Sequence, residues 1–174
     1  ESVQMEKIQK KYFALSYKTV SGRINTFVMF VERGISILRP NGQLGFIVPK
    51  PFLMMTAYKK MREMLLRQTI EQVVLCGEDV FLDANVPSTI LIVSKRSSGG
   101  SHTLSVYKLA HDSSIAFQRA LKVSDVAHDA EFRIKAEIDE QTEAVLRKIA
   151  SFGQALQTVA IVEDGINPGP FRSI

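Results

Sequence analysis

Apolar residues in the first part of the chain recur either at helical spacing or in short continuous runs. Residues 24–38 carry apolar side chains at three- and four-residue intervals, which predicts a largely buried helix. The run "LGFIVP" at 44–49 is typical of a parallel strand buried on both faces. A second helix is predicted at 55–67 and a second strand at 70–76. This strand–helix–strand order predicts a right-handed crossover in an α/β sheet.

A short acidic loop follows the second predicted strand and holds a bulky aromatic residue, Phe81. The loop spans 77–85 and leads into the apolar run 88–95. A loop this short cannot make a parallel crossover, so 88–95 is predicted to run antiparallel to 70–76 or to enter another position in the sheet. The alternating residues 103–109 predict an edge strand that pairs as a hairpin with 88–95.

The rest of the chain has weaker patterns. Residues 110–136 are polar, and a short helix is predicted at 113–121. Residues 139–153 begin with acidic residues, continue with basic ones and end in glycine, which predicts a helix. Residues 156–171 are predicted to form a strand followed by turns, at the opening of a further domain.

Composition narrows the class of protein. The 174 residues contain one cysteine, Cys76, which excludes an intrachain disulfide and fits a reducing cytoplasm. One cysteine and three scattered histidines give no metal-ligand spacing, so no metal site is predicted. No apolar run approaches the roughly 20 residues of a membrane helix, so no membrane partner is predicted and the location is predicted to be cytoplasmic.

Positive charge is concentrated in the first part of the chain. Residues 1–72 contain twelve Lys and Arg against five Glu, a net charge of +7, whereas residues 73–174 contain ten basic and thirteen acidic residues, a net charge of −3. Basic residues beside Tyr12, Phe13 and Tyr17 suit a polyanionic partner. A solvated helical surface would show the same charge.

The residues by themselves support no complete active site. No glycine-rich phosphate loop and no nucleophile elbow occur in the chain. The carboxylates of Glu78, Asp79 and Asp83 fall in a loop, where solvation explains them better than catalysis.

Residues 25–95 resemble a known family of enzymes. The resemblance rests on an ordered series of segments, "FVERGISILRPNG", "LGFIVP", "IEQVVLCG" and "TILIVSK". In this order they are similar to the second half of the catalytic domain of adenine-specific DNA methyltransferases from restriction–modification systems. The similar subtype has a target-recognition domain after the catalytic domain and includes fused restriction–methylation enzymes. "VEDGINPGPF" near the C-terminus is similar to the segment that opens that recognition domain.

The resemblance implies a fold, a domain organisation and a reaction. The fold would be a partial Rossmann-like methyltransferase sheet, mostly parallel, with one inserted antiparallel strand and a hairpin. Residues 1–110 would be the C-terminal half of the catalytic domain, 111–153 a linker with a helix, and 154–174 the start of the recognition domain. The parent enzyme would transfer methyl from S-adenosylmethionine to the exocyclic amine of adenine in double-stranded DNA. In the family, the cofactor loop and the Asn-Pro-Pro-aromatic motif lie upstream of Glu1, so the chain is expected to be an inactive fragment.

The resemblance also implies roles for residues around the acidic loop. Phe81 matches the residue that stacks on the target adenine after it leaves the duplex; the alternative is that Phe81 caps the core. Asn85 and Val86 match a loop beside the target base. Lys50 follows the strand 44–49 and is a candidate for phosphate contact, although a solvated surface lysine fits equally well.

Further candidate contacts to the DNA backbone lie in the basic first part of the chain. They are expected to make binding depend on salt concentration, and they are Lys10, Lys11, Lys18 and Arg23. Two other functions stay open from the sequence: an RNA or protein methyltransferase of the same fold, and a non-catalytic DNA-binding module that retains this half of the fold.

Overall fold

The described part of the chain forms two compact units, Glu1–Ala136 and Glu137–Ile174, and each is described here by itself. The first unit contains a five-stranded sheet with helices, and the second contains helices. The computed structural model describes residues 6–20, 24–77, 86–97, 102–110, 112–154 and 156–160.

The elements of the first unit follow the predicted order up to the third strand. The helix predicted at 24–38 and the strands predicted at 44–49, 70–76 and 88–95 are confirmed, with ends that differ by one or two residues. The helix predicted at 55–67 begins as a 3₁₀ turn and continues as an α-helix. The bounds are α1 Lys7–Ser16, α2 Thr26–Ile37, β1 Gln43–Pro49, a 3₁₀ turn Lys50–Leu53, a 3₁₀ turn Thr56–Tyr58, α3 Lys59–Leu66, β2 Thr69–Leu75, β3 Ser88–Ser94, β4 Thr103–Leu109, β5 Ile115–Lys122 and α4 Val123–His128.

The sheet has the strand order β1-β3-β2-β4-β5. β3 runs antiparallel to both of its neighbours, so β1 and β2 point in the same direction on either side of it. The predicted antiparallel strand inserted between two strands of common direction is confirmed. β4 is parallel to β2, and β5 is antiparallel to β4. The sheet is therefore mixed, and β2–β4 is the one parallel pair of neighbours among the described strands.

The predicted pairing of 103–109 is wrong. β4 pairs with β2 in parallel and forms its hairpin with β5, because both edges of β3 are already occupied by β1 and β2. β4 is consequently not an edge strand. The hairpin turn is closed by Ala110 N–H, which donates to Ser114 O at 2.9 Å. Ser113 in this turn has a φ of 63°, in the left-handed region that tight turns use.

Three other local predictions are also wrong. Residues 113–121 do not form a helix; Ile115–Lys122 is a largely exposed strand whose alternation is interrupted by a register shift opposite Val106 and Tyr107. β1 is not buried on both faces, since its residues are largely exposed or half-buried. It lies at the end of the strand order and pairs with β3. The strand predicted from residue 156 begins instead as a short helix, α6 Leu156–Val159, and residues 161–171 lie outside the described residues.

The core of the first unit lies between the sheet and the helices α2 and α3. α2 packs against β1 and α3 packs against β2. Apolar side chains of both helices and of all five strands or their ends form one buried cluster, which explains why the sequence shows helical and strand periodicities. The most deeply buried members include Val31, Phe52, Met61, Leu65, Ile70, Val73, Leu91, Val93, Leu104 and Val106.

The second unit contains the predicted helix at 139–153, which is confirmed as α5, Glu140–Phe152. Asp139 caps its first turn by accepting a hydrogen bond from Thr142 N–H at 2.7 Å, and Gly153 follows its last residue. Across the residues described in both units, none of the helices has the length and apolar character needed to span a bilayer. The predicted domain boundaries at 110 and 153 stay a prediction.

The central position of β3 gives a stability prediction. Leu91 is fully buried in the core, whereas its neighbour Ile92 points to the other, half-buried face of the sheet. We expect Leu91→Ala to lower the free energy of unfolding by about 2–5 kcal/mol, because it leaves a cavity between α-helices and sheet. Urea denaturation would measure this. Ile92→Ala is the matched control and should cost clearly less; equal losses would contradict the described faces of β3.

Candidate nucleic-acid interface

The ends of β1 and β2 and the start of β3 meet at one edge of the sheet. Pro49, the last residue of β1, is paired with Ser88, the first residue of β3. Cys76 N–H donates to Ser88 O at 3.0 Å, and Lys50 N–H donates to Pro87 O at 2.8 Å. Carboxyl ends of strands in α/β sheets are where ligands bind. This edge, called here the strand-end edge, therefore brings together the first residues after β1 and both ends of the loop between β2 and β3.

The residues predicted to contact the target base belong to that loop. Phe81 and Asn85 lie outside the described residues. Arg23, one of the candidate DNA contacts in the basic first part of the chain, also lies outside them. Val86 is described: its side chain is 43% exposed and its carbonyl accepts a hydrogen bond from Ser88 Oγ at 2.9 Å. The loop's two anchor points are thus defined, whereas base stacking by Phe81 and the roles of Asn85 and Val86 stay predictions.

The anchor of the loop in the sheet is buried and hydrogen-bonded. Thr89 Oγ1 donates to Val74 O at 2.7 Å between β3 and β2. Cys76 is buried beside it, and burial raises the pKa of its thiol, which therefore stays protonated. A protonated, buried thiol is a poor nucleophile. Cys76 consequently serves packing at this edge, and the loop leaves from a fixed base.

Lys50 lies at the same edge, in the 3₁₀ turn that follows β1. The turn is anchored by Phe52 and Leu53, whose side chains are buried in the core. Lys50 itself is half-buried. Its predicted contact with DNA phosphate stays a prediction, and its position beside Pro87 places it next to the loop that is predicted to hold the target base.

The sequence reasoning missed Arg62, the largest fully buried side chain of the described residues. Its Nη1 donates to Phe52 O at 2.6 Å and to Met55 O at 2.8 Å. Its Nη2 and Nε donate to Glu131 O at 2.8 and 3.1 Å. Arg62 follows Tyr58 by four residues and precedes Leu65 by three, so helical spacing puts it on their side of the helix. This spacing is the feature of the sequence that could have predicted its burial.

Burial of Arg62 has an energetic consequence for the strand-end edge. Removal from water lowers the pKa of the guanidinium, which nonetheless stays protonated because arginine does not lose its proton in proteins. A buried cation is costly unless its donors are satisfied. Carbonyl oxygens from two separate segments satisfy them here, so the turn after β1 and the segment around Glu131 are held together through one side chain.

The basic first helix is placed by a different anchor, Glu32 of α2. Its carboxylate accepts hydrogen bonds from Lys18 N–H and Thr19 N–H, both at 3.0 Å, and from Thr19 Oγ1 at 2.6 Å. Lys10 and Lys11 are exposed on α1, which buries none of its residues, and Lys18 is exposed just after it. The predicted DNA contacts are therefore divided between this basic segment and Lys50 at the strand-end edge.

Among residues 6–20, 24–77, 86–97, 102–110, 112–154 and 156–160, no three His, Cys, Asp or Glu side chains are grouped so that they could hold a metal ion.

The five-stranded sheet with its inserted antiparallel strand is a partial Rossmann-like fold, and two solved structures are similar to it over most of this chain. The type IIG restriction endonuclease BpuSI is similar with a TM-score of 0.54 and 16% sequence identity, over 82% of this chain and 19% of that one. A modification subunit of a putative type I restriction enzyme from Vibrio vulnificus YJ016 has a TM-score of 0.50 and 13% identity, over 84% of this chain and 29% of that one.

Sequence comparison shows similarity to restriction–modification methyltransferases. Residues 1–81, slightly under half of the chain, match the family model of the Eco57I restriction-modification methylase. A type II methyltransferase of Thermus thermophilus is 29% identical over 90 residues, which are 52% of this chain and 21% of that protein. The type II restriction enzyme and methyltransferase RM.Eco57I of Escherichia coli is 39% identical over 49 residues, 28% of this chain and 5% of that protein. The matches thus span about a fifth of the first relative and a twentieth of the second.

The anchor at Glu32 gives a prediction about pH. Burial by itself would raise the pKa of Glu32, but the hydrogen bonds from Thr19 and Lys18 outweigh it and hold the pKa below its usual range. A lowered pKa means that the carboxylate stabilises the folded chain above the pKa of an unfolded glutamate, and that this stability is lost as pH falls through the folded value. We expect Glu32→Gln to lower stability at pH 7 by about 1 kcal/mol and the difference from wild type to shrink toward pH 3.

Urea denaturation at several pH values measures this difference. Glu63→Gln is the control, because the Glu63 carboxylate makes an exposed ion pair with Arg67 at 2.8 Å, and such pairs contribute little. A stability difference between wild type and Glu32→Gln that stays constant with pH would contradict the role assigned to the carboxylate.

Proposed function

We propose that the full-length protein containing this chain is an adenine-specific DNA methyltransferase of a restriction–modification system, acting in the cytoplasm. It transfers a methyl group from S-adenosylmethionine to the exocyclic amine of adenine in double-stranded DNA. The observation that carries this proposal is the match of residues 1–81 to a restriction-modification methylase family. Adenine is proposed as the methylated base because residues 25–95 resemble adenine-specific enzymes.

The geometry of the strand-end edge supports the proposal for the DNA side of the reaction. A base inside a duplex cannot reach a methyl donor, so the adenine must leave the stack and be held by other π-faces or apolar groups. Phe81 supplies one such face, and Asn85 and Val86 lie beside the base. Both ends of their loop are fixed to the sheet, at Cys76 and at Pro87. A loop with fixed ends limits where its side chains can reach.

Basic residues supply the affinity for the DNA backbone in this proposal. Lys50 contacts phosphate beside the target base, while Lys10, Lys11, Lys18 and Arg23 contact phosphates farther along the duplex. Phosphate contacts position a protein on DNA without reading its sequence. The 174-residue chain by itself is therefore expected to bind duplex DNA weakly, without sequence preference, and with strong dependence on salt.

The cofactor fits the full-length protein and not this chain. The 174 residues contain no glycine-rich loop of the kind that binds S-adenosylmethionine in the family and no Asn-Pro-Pro-aromatic motif. We therefore assign cofactor binding and the contact to the adenine amine to segments outside this chain. The chain alone is expected to transfer no methyl group.

A substitution at Phe81 in the full-length enzyme tests the proposed role of the loop. Phe81→Ala should lower the rate of methyl transfer to DNA about tenfold or more, because stacking on a base contributes roughly 1–3 kcal/mol. Binding of S-adenosylmethionine should change little, and Phe81→Trp should retain most activity. Phe117→Ala is the matched control, since Phe117 is an exposed aromatic residue on β5. Unchanged methylation by Phe81→Ala would reject base stacking.

The methylated product distinguishes the proposed function from its rivals. Transfer of radiolabelled methyl to duplex DNA, followed by digestion to nucleosides, should give methylated deoxyadenosine. Methyl transfer to RNA or protein in place of DNA would indicate the related enzymes of the same fold. DNA binding by the full-length protein without methyl transfer to any substrate would indicate a non-catalytic module.

A further inference from the structure

Two methionines are exposed in the turn that follows β1. Met54 is 41% exposed and Met55 is 53% exposed, and the next two residues are exposed as well. Elsewhere in the chain Met29 and Met61 fill the core, as methionine usually does. We call Met54 and Met55 together the methionine turn.

The backbone of the methionine turn is held from several directions. The N–H groups of Met54 and Met55 both donate to Pro51 O, at 3.2 and 3.0 Å, and Met55 O accepts from Arg62 Nη1 at 2.8 Å. Ile134 N–H donates to Leu53 O at 2.9 Å, just before the turn. Flexible side chains are thus presented to solvent on a backbone fixed by a buried arginine.

The methionine turn lies at the strand-end edge. It begins four residues after Lys50, whose N–H is bonded to Pro87 O at the end of the loop that carries Phe81. Lysines flank it on both sides, Lys50 before it and Lys59 and Lys60 after it, and Lys60 is exposed. The lysines suit a partner with negative charge, and the exposed methionines suit apolar faces. Nucleic acid with unstacked bases offers both, since its phosphates are negative and its base faces are apolar.

We propose that the methionine turn contacts the faces of unstacked DNA bases at the strand-end edge. This inference rests on the proposed function and names a further contact of the same site. Thioether sulfur is polarisable and makes favourable contacts with aromatic rings, and methionine is among the side chains that enter opened base steps. Arg62 acts on this contact indirectly, as a positioning residue for the turn.

Base contacts and phosphate contacts respond differently to salt, which provides the test. Two fluorescent duplexes are needed, one fully paired and one with an unpaired adenine. Binding of the 174-residue chain to each would be measured at several salt concentrations. The double variant Met54→Ala, Met55→Ala should bind the unpaired duplex about tenfold more weakly, equivalent to about 1.4 kcal/mol, with an unchanged salt slope. Lys50→Gln should instead reduce the salt slope by about one.

Ile37→Ala is the matched control. Ile37 is an exposed aliphatic residue at the end of α2. Lys95 follows β3 and its Nζ donates to the carbonyls of Ser36 and Leu38, so Ile37 lies at the opposite end of the strands from Lys50. This variant should bind both duplexes as wild type does. A loss equal to that of the methionine variant, or a methionine variant that weakens both duplexes equally, would overturn the proposal.

Oxidation of the unaltered chain provides a second measurement that needs no variant. Dilute hydrogen peroxide should oxidise Met54 and Met55 faster than the buried Met29 and Met61, and peptide mass spectrometry would report each rate. Bound DNA with the unpaired adenine should slow oxidation of Met54 and Met55 several-fold. Bound DNA without protection would overturn the proposed contact and leave the proposed function standing. A chain that binds neither duplex would remove the proposed DNA partner and this contact with it.

Discussion

Pairing on both sides of β3 is the constraint on which the rest of the structure depends. Seven residues of β3 pair with β1 on one side, and the same strand pairs with β2 on the other. Because β3 is antiparallel to both, it starts where they end. One strand therefore brings together the turn after β1 and both ends of the loop after β2, and the strand-end edge follows from this arrangement.

A buried arginine gives the same edge its rigidity. Four hydrogen bonds from Arg62 to three carbonyl groups join the turn after β1 to the segment around Glu131. The donors are satisfied by these carbonyls, which is the condition under which a buried cation is tolerated. The basic segment of α1 is joined to α2 by a carboxylate in an analogous way, through Glu32. Both polar anchors hold segments that are proposed to face DNA.

Much of the fold could be predicted from local pattern, because long helices and buried strands impose periods of 3.6 and 2 on the sequence. β3 was predicted correctly since a short loop must reverse the chain. The partner of β4 could not be predicted, because pairing depends on which strand edges are free, and no local pattern reports that. β5 was missed because its residues are largely exposed and a register shift opposite Val106 and Tyr107 interrupts its alternation.

The sequence pointed to only some of the residues at the strand-end edge, and the reasons are physical. Val86 and Lys50 both lie beside one edge of the sheet, and the contacts expected of them stay predictions. Arg62 and the methionine turn were missed because a charged residue on a helix is normally exposed and a methionine is normally buried. Here the arginine is buried and the two methionines are exposed, the reverse of the usual pattern. Local departures from the usual pattern tend to mark functional places.

The most direct measurement of the central claim is a map of the residues that touch DNA. A duplex carrying a photoreactive 5-iodouracil beside an unpaired adenine would be irradiated with the full-length protein, and the crosslinked peptides identified by mass spectrometry. The account predicts adducts within residues 50–55, in the turn after β1, and within 78–86, in the sequence between β2 and β3. Adducts from this sheet that are confined to the opposite end, at residues 36–43 and 94–97, would contradict it.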